Sequence, residues 1–160
     1  MGRLWKKLSD RLRQLGFRVK GLVFKQDVSG NLLLIDIQKS RDQAPGSTRF
    51  TMNFGVVSRR LFDRTFQDIE SVLVHDAHLN VRAGWFLPDH PDKWWEIEDE
   101  ASAQPLIEEL DSLLVRAAVP YLQSHASDEA LVRLWRQGEG PGLTELQRRR
   151  LFDQANALGL

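Results

Sequence analysis

The sequence feature that most constrains the fold is a strict two-residue alternation between residues 49 and 57. Its apolar positions are Phe50, Met52, Phe54 and Val56. The positions between them begin with Arg49, Thr51 and Asn53. Successive side chains of a β-strand point to opposite faces of the sheet. The stretch therefore predicts a strand with one apolar and one polar face.

Similar alternation predicts further strands on both sides of this stretch. Residues 17–26 and 32–39 flank the turn-forming segment 28–31, which together predict a β-hairpin. Residues 78–87 also alternate, and the side chains expected to point inward are Leu79, Val81, Ala83 and Trp85. Residues 94–98 can add one more short strand.

Two segments between the strands lack a clear period. Residues 40–48 include Pro45 and Gly46 and predict a polar loop. Residues 58–76 fit either a short helix or an irregular strand, and the sequence leaves that choice open.

Helical spacing appears at the N-terminus. Apolar residues recur every three or four positions over residues 3–15, and Gly16 follows where a left-handed cap is expected. The pattern predicts an amphipathic helix that packs on the core. The same pattern is compatible with a helix lying on a membrane surface, which is the alternative.

The last third of the chain predicts further helices. One begins near Ser102 and is kinked or ended by Pro120, which lacks a backbone N–H. Ser127 is expected to cap a short helix. Thr144 and Gln147 match a capping box, which predicts a final helix over 145–158.

This order of elements predicts the fold class. A helix, then antiparallel strands, then helices are typical of an α+β domain. We expect a single domain over residues 1–160, with an antiparallel sheet of four to five strands covered on one face by helices. The helices of residues 127–158 would pack on this domain, and the uncovered sheet face would carry polar side chains.

Composition removes several classes of function. The 160 residues include no cysteine, which excludes disulfides, thiolate metal sites and a cysteine nucleophile and favours a cytoplasmic location. No apolar run is long enough to span a bilayer, so a membrane protein is not expected. With 22 basic and 22 acidic residues the net charge is zero, which argues against a dedicated nucleic-acid binder.

The charges are nevertheless unevenly distributed. Residues 1–25 contain eight basic side chains and one acidic side chain, whereas residues 89–111 contain nine acidic side chains and one lysine. The two segments can face each other or form separate solvated surfaces, or they can steer a charged partner.

Several short motifs occur in an order that resembles a known family. They are LGF at 15–17, Phe24, IDIQKS at 35–40, FTMNFGV at 50–56, VRAG at 81–84 and DKWWEI at 92–97. Residues 8–125 resemble the bacterial domain-of-unknown-function family numbered 4304. The resemblance implies an antiparallel sheet flanked by helices. It implies no activity and supplies no catalytic residue.

Three histidines form the most enzyme-like pattern. Imidazoles are common zinc ligands, and His75, His78 and His90 would suffice for an open catalytic site if the chain brought them together. A metal-assisted hydrolase is therefore one alternative function. Exposed loop histidines are the other interpretation, and we expect no cofactor.

Two charged clusters allow further interpretations. Glu96, Glu98, Asp99 and Glu100 could supply a general acid and base, or they could support a helix N-terminus. The triplet 148–150 and the basic N-terminal helix could bind nucleic acid weakly, although three consecutive helical positions diverge around the helix.

The favoured hypothesis concerns the polar face of the sheet. If the strands pair as predicted, this face gathers Asp36, Gln38, Arg49, Thr51, Asn53, His78, Asn80 and Arg82. Trp94 and Trp95 are adjacent in a strand, so one should be buried and the other free to contact a ligand. We expect a non-enzymatic domain that binds another protein or a polar ligand here. An ordinary solvated sheet face is the alternative.

Overall fold

The computed structural model describes residues 2–42, 44–62 and 68–160 and confirms the predicted α+β fold. The described residues form six strands: β1 (Arg18–Lys20), β2 (Val23–Val28), β3 (Asn31–Lys39), β4 (Thr48–Val57), β5 (Leu79–Arg82) and β6 (Trp95–Ile97). They form five α-helices: α1 (Gly2–Gln14), α2 (Glu100–Leu113), α3 (Val119–Ser124), α4 (Asp128–Arg136) and α5 (Glu145–Ala157).

The strands form one antiparallel sheet in the order β1-β2-β3-β4-β5. The β6 strand pairs with the first residues of β4, and β5 pairs with residues 53–56 of the same strand. The predicted hairpin is confirmed: β2 and β3 are joined at Ser29 and Gly30, which both have positive φ. The long strand β4 therefore pairs with three strands, β3, β5 and β6.

Two predicted strands are shorter than their sequence patterns. The segment 17–26 turns at Gly21, where φ is +63°, and so contributes both β1 and β2. The strand expected over 78–87 ends at Arg82, and residues 83–86 form a 3-10 turn. Trp85 was expected to point inward and is 39% exposed, because this turn breaks the alternation before it.

The main core lies between the helices and one face of the sheet. The sheet contributes alternate residues of β3, β4 and β5, including Ile35, Phe54 and Leu79. Helix α1 contributes Leu4, Leu8 and Leu12, as its periodicity predicts. Helices α2 to α4 cover the rest of this face, and α5 packs against α4.

The opposite face of the sheet is covered over half of its length. Leu32, Leu34 and Val57 pack there against Ile69, Val72, Val74 and Ala77 of the segment 68–77. We call this region the apolar half-face. A Cβ atom on Gly55 would lie 2.8 Å from the Cβ of Ala77, so glycine allows the close approach of this segment. Residues 63–67, within the stretch that the sequence left open, lie outside the described residues.

The predicted helix caps are largely confirmed. Ser127 accepts a hydrogen bond from the backbone N–H of Ala130. Thr144 and Gln147 form the expected capping box at the start of α5. Helix α2 begins at Glu100, because Asp99 and Ser102 form a further capping box.

Pro120 changes the helix geometry without ending the helix. Residues 114–118 form a π turn between α2 and α3, and the Val119 N–H bonds to the carbonyl of Leu114. Pro120 has no N–H to offer the carbonyl of Arg116, four positions earlier, which disfavours a regular α-helix here.

The β5 edge of the sheet is covered by the segment that connects α4 and α5. The backbone N–H of Asn80 donates to the carbonyl of Pro141 at 3.1 Å. At the other edge, β1 contains three residues. Among the described residues no helix is long and apolar enough to cross a membrane.

Candidate functional site

The segment 68–77 covers only half of the second sheet face, which is the face opposite the main core. The other half of this face carries polar side chains. These are Asp36 and Gln38 of β3, Asn53 of β4 and Arg82 of β5, and we call this group the polar half-face. The strand register places Asp36 opposite Asn53, and Asn53 opposite Arg82. The predicted gathering of these four residues on one face is therefore present.

Asn53 lies at the centre of a hydrogen-bond network. Its Nδ2 donates to Oδ1 of Asp36 at 2.7 Å and to Oε1 of Gln38 at 3.1 Å. Its Oδ1 accepts from Nε of Arg82 at 3.3 Å. One amide thus connects three strands and fixes the orientation of its neighbours.

Arg82 is held by groups from three segments of the chain. Besides Asn53, it donates to Oδ1 of Asp92 at 2.8 Å and, more weakly, to Oε1 of Gln38 at 3.5 Å. Its guanidinium carbon lies 5.6 Å from the ring centre of Trp94, within the range of a cation–π contact. Arg49 lies 5.2 Å from the same ring.

Asp92 connects the network to Trp94. Its Oδ2 accepts from the indole N–H of Trp94 at 2.9 Å. The hydrogen bond from Arg82, followed by that from Trp94, holds the pKa of Asp92 below its usual value. The carboxylate is therefore ionised at neutral pH and balances the charge of Arg82.

The position of Asp92 depends on a glycine two residues after Arg82. A Cβ atom on Gly84 would lie 1.6 Å from the carbonyl oxygen of Pro91. Only glycine therefore allows the loop that carries Asp92 to fold back onto this turn. Thr51 anchors the loop further, because its hydroxyl donates to the carbonyl of Lys93 at 2.8 Å.

Asp36 is the most desolvated acid of the polar half-face. Burial raises the pKa of its carboxyl group, although hydrogen bonds from Asn53 and from the backbone of Val74 oppose the shift. A carboxylate with a raised pKa in a cleft is a common feature of binding sites.

A cleft of about 450 Å³ lies over the polar half-face. Asp36, Gln38, Asn53 and Arg82 line one side, and the opposite wall includes Leu73, Val74 and His75. Its volume lies within the range of small-ligand sites, about 300–1,000 Å³. The cleft therefore has room for a group the size of a terminal amino acid.

The other predicted binding residues differ in their positions. Trp94 is half-buried against Arg82, whereas Trp95 is 5% exposed and packs on Phe50, as the expected alternation requires. Thr51 is fully buried, and its hydroxyl holds the loop that carries Asp92 through the carbonyl of Lys93. Asn80 lines the cleft, and its amide donates to the carbonyl of Gly142 at 3.4 Å.

Sequence reasoning did not assign Asp92 to the binding surface. It lies in a turn without periodicity. Its position in the DKWWEI motif is the one sequence signal that connects it with Trp94. The cleft wall at residues 73–75 belongs to the segment without a sequence prediction.

The three histidines have separate surroundings. His78 is buried, and its Nδ1 accepts the backbone N–H of Ser58 at 2.8 Å. His90 stacks on Trp85 with ring centres 4.9 Å apart, and exposed His75 lies 3.4 Å from Asp76. Within residues 2–42, 44–62 and 68–160, no three histidines or acids are grouped as metal ligands.

The charged clusters have local partners. Glu96 accepts from the hydroxyl of Ser47 at 2.8 Å, and Asp99 caps α2. Arg148 donates to the carbonyl of Trp135 at 2.7 Å, while Arg149 pairs with Glu145 at 2.5 Å. Arg148 also lies 3.7 Å from the same carboxylate oxygen, so both arginines have an acidic neighbour on their own helix. The side chain of Glu100 lies outside the described residues.

The comparison with family models assigns the chain to a family. The architecture is that of an α+β domain with an antiparallel sheet and helices on one face. The chain belongs to the family described as a domain of unknown function (DUF4304), whose model matches residues 8–124. No curated protein and no solved structure matches the chain.

Proposed function

We propose that this protein is a non-enzymatic binding domain whose cleft takes a carboxylate group of a partner protein. The observation that carries the proposal is the fixed position of Arg82. Its guanidinium is held by acceptors from β3, β4 and the 88–93 loop, beside the ring of Trp94.

A fixed guanidinium is a favourable anchor for a carboxylate. Arginine presents five N–H donors in a planar fork. Three of them contact Asn53, Asp92 and Gln38, and the other two have no acceptor within the described part of the chain. Because the Arg82 side chain is already ordered, it loses little further conformational entropy when a ligand binds to it.

The rest of the cleft favours a polar ligand that also donates hydrogen bonds. Asp36 and Gln38 present acceptor oxygens a few ångströms from Arg82. A chain terminus or an acidic side chain with its backbone amide offers both a carboxylate and N–H donors. The exposed Leu73 and His75 at the rim can contact neighbouring residues of the same partner.

The proposal can be tested by NMR titration with N-acetyl dipeptides that have either a free C-terminal carboxylate or a C-terminal amide. We expect the carboxylate forms to shift the Nε–H of Arg82, the indole N–H of Trp94 and the amide of Asn53. Arg82→Lys should weaken binding at least about 10-fold, because lysine cannot reproduce the planar fork.

Arg136→Lys is the matched control, since Arg136 is an exposed arginine of α4. It should leave the titration unchanged. Equal binding of the carboxylate and amide forms, or an unchanged affinity in Arg82→Lys, would refute the proposal.

A further inference from the structure

A second surface lies on the helix-covered side of the sheet, away from the polar cleft. Helices α1 and α2 lie side by side and are joined by an ion pair between Arg11 Nε and Asp111 Oδ1 at 2.5 Å. A groove of about 970 Å³ runs along them and along the π turn after α2. Its volume is about twice that of the polar cleft.

The groove carries an excess of unpaired basic side chains. Arg3, Lys6 and Lys7 of α1 and Arg116 of the π turn line it, and none of them has an acidic partner among the described residues. The acids are largely engaged. Asp10 pairs with Arg13 at 3.0 Å, and Asp111 pairs with Arg11.

The floor of the groove is partly apolar. Ile107 and Val115 line it, and both side chains are half-buried. Arg116 belongs to the π turn, a geometry that occurs frequently at functional sites. The groove thus combines a short apolar strip with cations on both sides.

We propose that this groove binds an acidic amphipathic helix of a partner protein. Carboxylates on such a helix would meet Arg3, Lys6, Lys7 and Arg116, and its apolar face would cover Ile107 and Val115. An amphipathic helix seated in a groove is a common mode of recognition. Charge complementarity and the apolar strip together select this ligand.

The same charges fit a nucleic acid less well. A phosphate backbone presents negative charge along its whole length and binds best to an uninterrupted basic surface. Asp10, Glu108 and Asp111 lie between the basic residues of this groove, which therefore presents no continuous basic track. A phosphate backbone also offers no apolar face to the floor.

Fluorescence anisotropy with labelled probes tests the proposal. The first probe is a synthetic helical peptide with glutamates on one face and leucines on the other. The second replaces its leucines with serines at the same charge, and the third is an oligouridylate of similar length. We expect the first to bind at least about 10-fold more tightly than either of the others.

Two variants locate the binding site. Lys6→Glu with Lys7→Glu should weaken binding of the first peptide at least about 10-fold. Arg133→Glu with Arg136→Glu changes the net charge equally on exposed positions of α4 and should leave binding within about 2-fold. Ile107→Ser should weaken the leucine peptide and leave the serine peptide unchanged.

Several outcomes would overturn the proposal. They are equal binding of the leucine and serine peptides, equal losses in the two double variants, and tighter binding of the oligouridylate. Because Arg82→Lys lies on the other side of the sheet, it should not alter any of these affinities. Failure of the groove and failure of the polar cleft can therefore be told apart.

Discussion

The two halves of the second sheet face are built on the same strands and differ in what covers them. Along β3, Leu32 and Leu34 are fully buried beneath the segment 68–77, whereas Asp36 and Gln38 lie in the open cleft. The change occurs within two residues of β3. The covered half of the face is thus apolar, and the open half is polar.

This difference shows what each half contributes. The apolar half-face stabilises the fold through the burial of hydrocarbon side chains. Because these side chains are buried, a ligand cannot reach them. The polar half-face connects Asn53, Arg82 and Asp92 at partly exposed positions, where such contacts add little to the free energy of unfolding. Its ordered polar groups are available for binding.

The largest expected effect is on the apolar half-face. Leu34→Ala should lower the free energy of unfolding by about 3 kcal/mol, because it opens a cavity under a fully buried side chain. Urea denaturation measures the change. The matched variant Gln38→Ala, four residues further along β3, should change it by less than about 0.5 kcal/mol. Similar losses in both variants would remove the distinction between the halves.

Acid should act on the fold through His78, which shares the side of the sheet with Val57. Burial lowers the pKa of His78 to about 4, despite the charge of Asp128, from 6.5 in the unfolded chain. Between these two pH values the folded protein binds fewer protons than the unfolded chain. The contribution of neutral His78 to stability is therefore complete above pH 6.5 and is lost as pH falls toward 4.

His78→Asn tests this effect, because the asparagine oxygen can still accept the N–H of Ser58 but does not titrate. The wild-type protein should lose up to about 3 kcal/mol more than the variant over this pH interval. Denaturation curves at several pH values give the comparison. Parallel pH profiles for the two proteins would contradict the assignment.

The smallest effect is expected at Asp36 and has the opposite sign. Its pKa is raised by burial, so the ionised form costs stability at pH 7, and this cost disappears as pH falls from the raised pKa toward 3.8. Asp36→Asn should therefore be slightly more stable than the wild type at pH 7 and no different in strong acid. A less stable variant at pH 7 would show that the carboxylate serves the fold.

Much of the fold was predictable because it follows periodic patterns. The alternation of Phe50 with Thr51 and the spacing of Leu4, Leu8 and Leu12 each depend on local geometry alone. The capping box of Thr144 is equally local. The shared face of Asp36, Asn53 and Arg82 followed once the strands were placed.

The remaining features depend on contacts between distant segments. The segment 68–77 covers half of a sheet face, but its sequence has no hydrophobic period. Neither this segment nor the alternation in β3 therefore predicted which half of the face is covered. The fold-back of the 88–93 loop depends on the space beside Gly84, which no pattern in the sequence expresses. The π turn before Pro120 shows that a helix can absorb a proline that was expected to kink or end it.

The bond between Asn80 and the carbonyl of Pro141 has a consequence for recognition. An incoming strand at that margin would find the amide already occupied. Extension of the sheet by a foreign chain is thus disfavoured at the β5 margin.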